Sequence, residues 1–438
     1  MTGSPAAHRR YRLCSSLRGR ATLRALALAA LLVALGTSLL GATVTRGATP
    51  PAQPQTASLA ASLAFPRATL SPAVPSHISS VSPAGLDAFV RAHMRIAHVP
   101  GLAACVVRGG DIVWAKGYGW ANVARRRRVT PDTDFMLASV SKTVMATALM
   151  QLVQQGRVDL HADVDTYLPF RVRNPQHQGR PITPWMLLTH TSSIRDAWAT
   201  LDASYVPGDS PVSLASFVRS YFTPGSRYWL PGDFYDFAPG HAYRYANMGA
   251  TLAGYLVQAV THKGFDRVCE RTIFARLGMN ATSWHLSGLD PATVAMPYKY
   301  VRSTGRYRPY GQYGYPDYPD GELRTSVSQL GRFLAAYMNG GSYQGVRILK
   351  AATVTDMLRP QLGEIAKGQG LIWYHDKIGK LKVVGHNGGD SGVATFMFFD
   401  PASGAGAIVL TNGDAWRNGE YRALQRVVGK LLELAPQM

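Results

Sequence analysis

The chain has 438 residues, 46% of them hydrophobic, and a formal net charge of +20. This composition excludes a disordered or low-complexity protein and allows one large domain or two ordinary ones. Six of the positive charges (Arg9, Arg10, Arg12, Arg18, Arg20 and Arg24) precede residue 25, but the remainder is basic as well. No zinc-finger, helix-turn-helix or RNA-binding signature accompanies that charge, so nucleic acid is not an expected partner.

Ala25 to Thr45 is uncharged, rich in Ala and Leu, and follows the basic segment. This is the layout of a secretory signal or a membrane anchor, and 21 residues suffice to span a bilayer. Either reading places the rest of the chain outside the cytoplasm, in a periplasmic or extracellular location; the anchor reading, unlike the cleaved-signal one, attaches it to the membrane through residues 25–45. Residues 47–80 are Ala, Pro, Ser and Thr with almost no charge and read as a tether. The expected organisation is therefore a leader or anchor over 1–46, a linker over 47–80 and a folded domain over 81–438.

Ser82-Pro83 reads as a helix N-cap with proline at the first helical position, followed by Leu86, Phe89, Val90 and His93 at helical spacing. Two strands are expected at Leu102 to Arg108 and Asp111 to Gly117, joined by Gly109-Gly110. The arginines Arg125 to Arg128 read as a solvated loop face. From Ser141 to Gln155 the pattern is helical and mostly apolar, predicting a buried helix. Residues 140–340 alternate helical stretches with Pro/Gly-rich loops. Short strands are then expected at Leu371 to Tyr374, Lys382 to Gly385, Ala394 to Phe399 and Gly406 to Leu410, before a closing helix from Trp416 to Leu434. The fold class is α/β, with one antiparallel sheet built from both chain ends, flanked by helices, and a mainly helical region inserted.

Serine is a weak nucleophile that needs a base nearby and donors for the oxyanion its attack creates. Ser139-Val140-Ser141-Lys142 supplies both kinds of group. At a helix start, residues three apart share a face, so Lys142 points at the Ser139 hydroxyl, and the helix N-terminus favours negative charge. A lysine desolvated in a cleft loses its proton more readily and can serve as base. Chains of this length hold about one or two Ser-x-x-Lys matches by chance. This is the only match in the chain, and it opens the most apolar helix.

Around that motif stand Thr133-Asp134-Phe135, Gly156-Arg157-Val158-Asp159-Leu160, Leu187-Leu188-Thr189-His190-Thr191-Ser192, Tyr245-Ala246-Asn247, Leu277-Gly278-Met279 and His386-Asn387-Gly388. From about residue 84 to 433 the succession resembles the serine β-lactamase-related proteins: class C β-lactamases, D-Ala-D-Ala carboxypeptidases and related esterases. The resemblance implies a β-lactamase/transpeptidase-like fold and hydrolysis through an acyl-enzyme. It implies Ser139 as nucleophile, Lys142 as the neighbouring base and Tyr245 as proton shuttle. Asn247, His386 and Gly388 would bind substrate, and the Ser139 and Gly389 N–H groups would form the oxyanion hole. No cofactor is implied, and the expected substrate is a small molecule or peptide. The chain departs from the Ser-Asp-Asn and Lys-Thr-Gly forms of the later motifs. Histidine at 386, in place of a fixed cation for the drug carboxylate, argues against efficient β-lactam hydrolysis. A competing reading is a membrane-tethered binding or sensor protein with the same fold and little turnover.

Other residues read more plainly. His190 is expected as a structural hydrogen-bonder at a helix start. Cys105 and Cys269 match no disulfide framework or metal spacing and read as small buried hydrophobes. Gly389-Asp390-Ser391-Gly392 mimics a trypsin-like nucleophile segment, but a helical middle excludes that fold, so Ser391 reads as a turn residue. No metal-binding spacing occurs among the twelve histidines. Tyr307, Tyr310, Tyr313, Tyr315 and Tyr318 crowd a Gly/Pro-rich segment, and at least one is expected at the entrance over Ser139.

Overall fold

The structure, a computed structural model, describes residues 79–415 and 418–438. The expected leader or anchor, all but the last two linker residues, and Trp416 lie outside the described residues. Among the described residues, no helix is long and apolar enough to cross a membrane.

Seven strands form the main sheet: β1 (Gly101–Arg108), β2 (Asp111–Asn122), β3 (Arg127–Arg128), β4 (Tyr374–Ile378), β5 (Leu381–Asp390), β6 (Val393–Asp400) and β7 (Ala405–Thr411). Their spatial order is β4-β5-β6-β7-β1-β2-β3, every pair antiparallel. Both ends of the domain do build it, because β1 pairs with β7 from Leu102 opposite Thr411 to Arg108 opposite Ala405. Every residue of β6 and β7 is buried, as expected of strands covered on both faces. Gly109 and Gly110 both have positive φ, the backbone a tight hairpin demands.

The helices that matter for the site are α1 (Leu86–Ala97), α2 (Ser141–Gln154), α3 (Asn247–Thr261), α4 (Val327–Met338) and α5 (Asn418–Leu434). Alternation along β1 sorts its side chains between two layers. Leu102, Ala104 and Val106 join Leu86, Val90 and Met94 of α1 and Leu424, Val427, Val428 and Leu431 of α5 in one core. Ala103, Cys105 and Val107 join Leu330, Phe333 and Leu334 of α4 and the buried faces of α2 and α3 in the other.

Local readings needed adjustment. The N-cap of α1 is Gly85, with no side-chain bond, and the Ser82 hydroxyl instead donates to Asp87 at 2.6 Å. β2 runs on to Asn122, and the expected strand at 371–374 begins only at Tyr374. The arginine run is partly structural: Arg127 and Arg128 pair with β2, and the Arg128 guanidinium lies 3.7 Å from the Trp120 ring centre. Cys105 and Cys269 are buried and free, as small hydrophobes should be. Ser391 lies in the β5–β6 turn, where Gly392 takes φ 73° and the Ser391 carbonyl accepts from the Tyr313 hydroxyl.

Candidate active site

Ser139 is the middle residue of a single 3₁₀ turn, Ala138–Val140, that runs directly into α2. The preceding Ala138 holds φ 47°, a backbone conformation that costs energy for a residue with a Cβ and is tolerated where the surroundings over-determine it. Ser139 is half-buried, whereas Lys142 one turn on is fully buried. The Lys142 ammonium donates to Ser139 Oγ at 3.1 Å, to Asn247 Oδ1 at 2.7 Å and to the Asp320 carbonyl at 2.7 Å. Its Nζ lies 5.1 Å from the centre of the Tyr245 ring, which is 38% exposed and so reachable from solvent.

Three separate segments hold these partners in place. Ala246 gives α3 no side-chain cap, but the Asp196 carboxylate accepts from the Asn247 and Met248 N–H groups at 3.0 and 2.9 Å. A carboxylate at a helix N-terminus satisfies orphan donors and the helix dipole together. Asp320 reaches Lys142 because Pro319 crosses α3 at Gly254, where an added Cβ would sit 2.5 Å from the proline ring. On the sheet side, Gly388 of β5 abuts the serine turn. A Cβ there would lie 2.3 Å from the Leu137 carbonyl oxygen and 2.8 Å from the Ser139 nitrogen. The Thr395 hydroxyl of β6 clamps the same carbonyl at 2.6 Å. β4 stops pairing at Gly385, so beyond it the outer edge of β5 turns toward the serine, and Gly389 is exposed.

Burial by itself pushes Lys142 toward the neutral amine, as the sequence argument supposed. The nearby Tyr245, Asp320 and Asp196 outweigh it and raise the lysine above its ordinary value. In the free protein Lys142 is therefore an ammonium ion. Its support is pH-dependent, because burial, with Asp196 and Asp390 nearby, pushes the Asp320 carboxyl up to about 7 despite Lys142.

His386 is 2% exposed, and burial, reinforced by Lys142, drives it down to about 3 despite the Asn387 carbonyl that its Nδ1 meets at 2.5 Å. It is a neutral imidazole at neutral pH, not a cation. Its neighbour Asn387 faces elsewhere, accepting from the Tyr374 hydroxyl at 2.6 Å and donating to the Tyr421 hydroxyl at 3.1 Å.

His190 follows a short helix, Pro184–Leu188, instead of starting one. With φ 57°, it brackets Tyr245: its carbonyl accepts from the Arg244 N–H at 2.8 Å and its Nδ1 accepts from the Ala246 N–H at 3.3 Å. Its ring packs against the Tyr245 ring with centres 4.4 Å apart. Burial, with Lys142 and His386 nearby, holds it neutral.

Sequence reasoning missed Asp196, Asp320, Asp390 and Tyr205. No motif marks them, and only Asp390 lies within a motif-bearing segment, two residues past Gly388. Of the five crowded tyrosines, Tyr313 and Tyr315 do pack with Ala138 beside Ser139, but both are buried. Tyr318 packs inward on Trp284 and Phe265. Of the five, Tyr310 is exposed, and the exposed ring that covers Tyr313 and Tyr315 comes from outside the segment: Tyr205, at 5.4 and 4.8 Å from them.

An antiparallel sheet closed by both chain ends, with a Ser-x-x-Lys turn against its β5 edge, is the β-lactamase/transpeptidase architecture. The chain belongs to the beta-lactamase family of serine hydrolases and penicillin-binding proteins, and the family's model matches residues 86–429. It is 24% identical over 339 residues to Protein flp of Staphylococcus aureus strain N315, covering 77% of this chain but only 63% of that protein. It is 27% identical over 344 residues to penicillin-binding protein 4 of Amycolatopsis lactamdurans, covering 72% and 81% of the two chains. Among solved structures, the octameric penicillin-binding protein homologue from Pyrococcus abyssi aligns with TM-score 0.65 at 25% identity, covering 80% of this chain and 77% of that one. The D-amino acid amidase of Ochrobactrum anthropi SV3 complexed with D-phenylalanine aligns with TM-score 0.64 at 22% identity, over 80% and 99%, a likeness of fold.

Proposed function

We propose that the protein is an exported serine hydrolase that cleaves amide, D-amino-acid peptide or ester substrates through an acyl-enzyme on Ser139. The observation that carries this reading is the Lys142 ammonium, fully buried and 3.1 Å from a solvent-reachable Ser139 hydroxyl, with Tyr245 over the same cation. Ser139 Oγ attacks the substrate carbonyl carbon. The oxyanion formed is met by the Ser139 and Gly389 N–H groups and by the positive end of α2.

Because Lys142 enters the reaction charged, it serves as an electrostatic anchor. It orients Ser139 and stabilises negative charge on the oxygen that gives up its proton. Tyr245 is then the group that carries the proton from Ser139 to the departing nitrogen or oxygen. Asn247 has its carbonyl oxygen committed to Lys142, which leaves its amide NH₂ for the substrate carbonyl. Water entering by the same face returns the serine. Export rests on the uncharged 25–45 segment behind its arginines.

The test is labelling of the full chain with a fluorophosphonate or a fluorescent penicillin, followed by mapping of the modified peptide. Modification at Ser139, lost in Ser139→Ala, is the expected result. A folded protein that takes no label is a binding protein on the same fold, and the proposal fails.

A further inference from the structure

On β5 the residues His386, Gly388 and Asp390 alternate, so they share one face of the strand. That face is the one Gly388 presses against the Ser139 nitrogen. The serine is therefore flanked along the strand by a neutral imidazole on one side and a carboxyl group on the other.

Asp390 is ringed by hydrogen-bond donors that favour its anion, while burial, the larger effect, raises its carboxyl above the ordinary value. The Tyr205 hydroxyl donates toward both of its oxygens at 3.1 and 3.2 Å, the Tyr315 hydroxyl at 3.2 Å, and the Ser391 N–H at 2.6 Å. Burial and the adjacent Asp390 hold Tyr205, Tyr313 and Tyr315 in their protonated, donating forms. The cluster lies at the nucleophile: a Cβ on Gly321 would come 2.4 Å from the Tyr315 hydroxyl and 3.7 Å from the Ala138 carbonyl carbon. The carboxyl is half-buried and Tyr205 above it is exposed, so the group borders the open side of the site. Among the described residues Asp390 forms no ion pair; its partners are the Tyr205 and Tyr315 phenols and one backbone N–H, with the Tyr313 hydroxyl beside them donating to the Ser391 carbonyl. A carboxylate held by neutral donors in a partly desolvated pocket gains most from a mobile cation, and tyrosine rings reinforce the preference.

We propose that Asp390, ringed by Tyr205, Tyr313 and Tyr315, is a subsite for a positively charged amino group on the acyl part of the substrate. The preferred substrates are amides, peptides or esters whose acyl group carries a free amine in place of an anionic group. This deepens the hydrolase reading and rests on Ser139 being the acylated residue.

Three penicillins that differ at a single side-chain carbon separate the cases: ampicillin bears an ammonium there, benzylpenicillin a hydrogen and carbenicillin a carboxylate. The second-order rate of acylation of Ser139 is measured by intact-protein mass spectrometry, with fluorophosphonate labelling as the common reference. The expected order is ampicillin, then benzylpenicillin, then carbenicillin. Asp390→Asn should shrink the ampicillin-to-benzylpenicillin ratio by about tenfold, the loss of one charged contact. Tyr205→Phe should shrink it in the same direction by less, and it keeps the proposal testable if Asp390→Asn does not fold. Equal rates, a preference for carbenicillin, or no reaction with ampicillin while fluorophosphonate labels Ser139 would each overturn the subsite. A folded protein without fluorophosphonate labelling overturns the hydrolase reading instead.

Discussion

The two sides of Ser139 are built from opposite materials. On the inner side, Lys142 is fully buried, and its three contacts go to a serine, an amide and a backbone carbonyl, each held by a separate element. On the open side, Asp390 and Tyr205 are partly reachable and are held by phenol hydroxyls instead of a fixed counter-charge. A buried cation with a complete set of partners cannot adapt to the substrate, so it suits chemistry common to all substrates. A carboxylate with a half-open shell can discriminate among them. Damage on the inner side should therefore lower turnover for every substrate, and damage on the open side should change which substrate is preferred.

The largest effect belongs to the residue both sides share. Ser139→Ala should abolish covalent labelling and cut turnover by about 10⁴-fold or more, because members of a nucleophilic unit fail together. Near-normal turnover in that variant would move the nucleophile elsewhere.

Next come Lys142→Ala and Tyr245→Phe, each expected to slow acylation by about 10²–10⁴-fold for small and large substrates alike. A loss confined to one substrate would place the residue on the discriminating side. Lys142→Ala also leaves the Asn247 and Asp320 acceptors unpaired in a buried site, so its melting temperature should fall; Tyr245, at the surface, carries no such penalty.

His190 tests whether the inner side is positioned or merely filled. Its hydrogen bonds bracket Tyr245 and its ring supports the phenol. His190→Ala should lower kcat by about tenfold with KM little changed. His190→Asn, which tolerates a left-handed backbone and still offers an acceptor to Ala246, should recover part of that loss. A change in KM alone, or no recovery by Asn, would make His190 a packing residue.

The smallest effect is a pH dependence of stability. Asp320 is raised from 3.8 to about 7 by burial first of all, so the folded state holds its proton more tightly than the unfolded chain does. The stability this contributes is complete below about pH 4 and is lost as pH rises toward 7. Melting temperatures from pH 4 to 8 should decline less steeply in Asp320→Asn than in the parent. Parallel curves would mean that Asp320 does not titrate in this range.

Much of this protein is local in origin and was legible for that reason. Ser139 and Lys142 are one helical turn apart, so their meeting follows from helix geometry alone. The strands from β5 to β7 are runs of apolar residues between turn residues, and their order is set by hairpins. Tyr245, Asn247 and His386 were found through a family resemblance, since neither spacing nor periodicity links them to Ser139. The protonation of Lys142 and His386 was decided only by the tertiary structure. Whether a buried lysine keeps its proton depends on acids brought in from residues 196 and 320, which no window of sequence around Lys142 contains. The same holds for the open side: Tyr205, Tyr315 and Asp390 come from three distant segments, and the charge they present to a substrate exists only once the sheet edge, the 205 loop and the 315 loop have packed together. Nearest-neighbour chemistry is written in the sequence, whereas electrostatic environment is a sum over space, and that sum is fixed only by the fold.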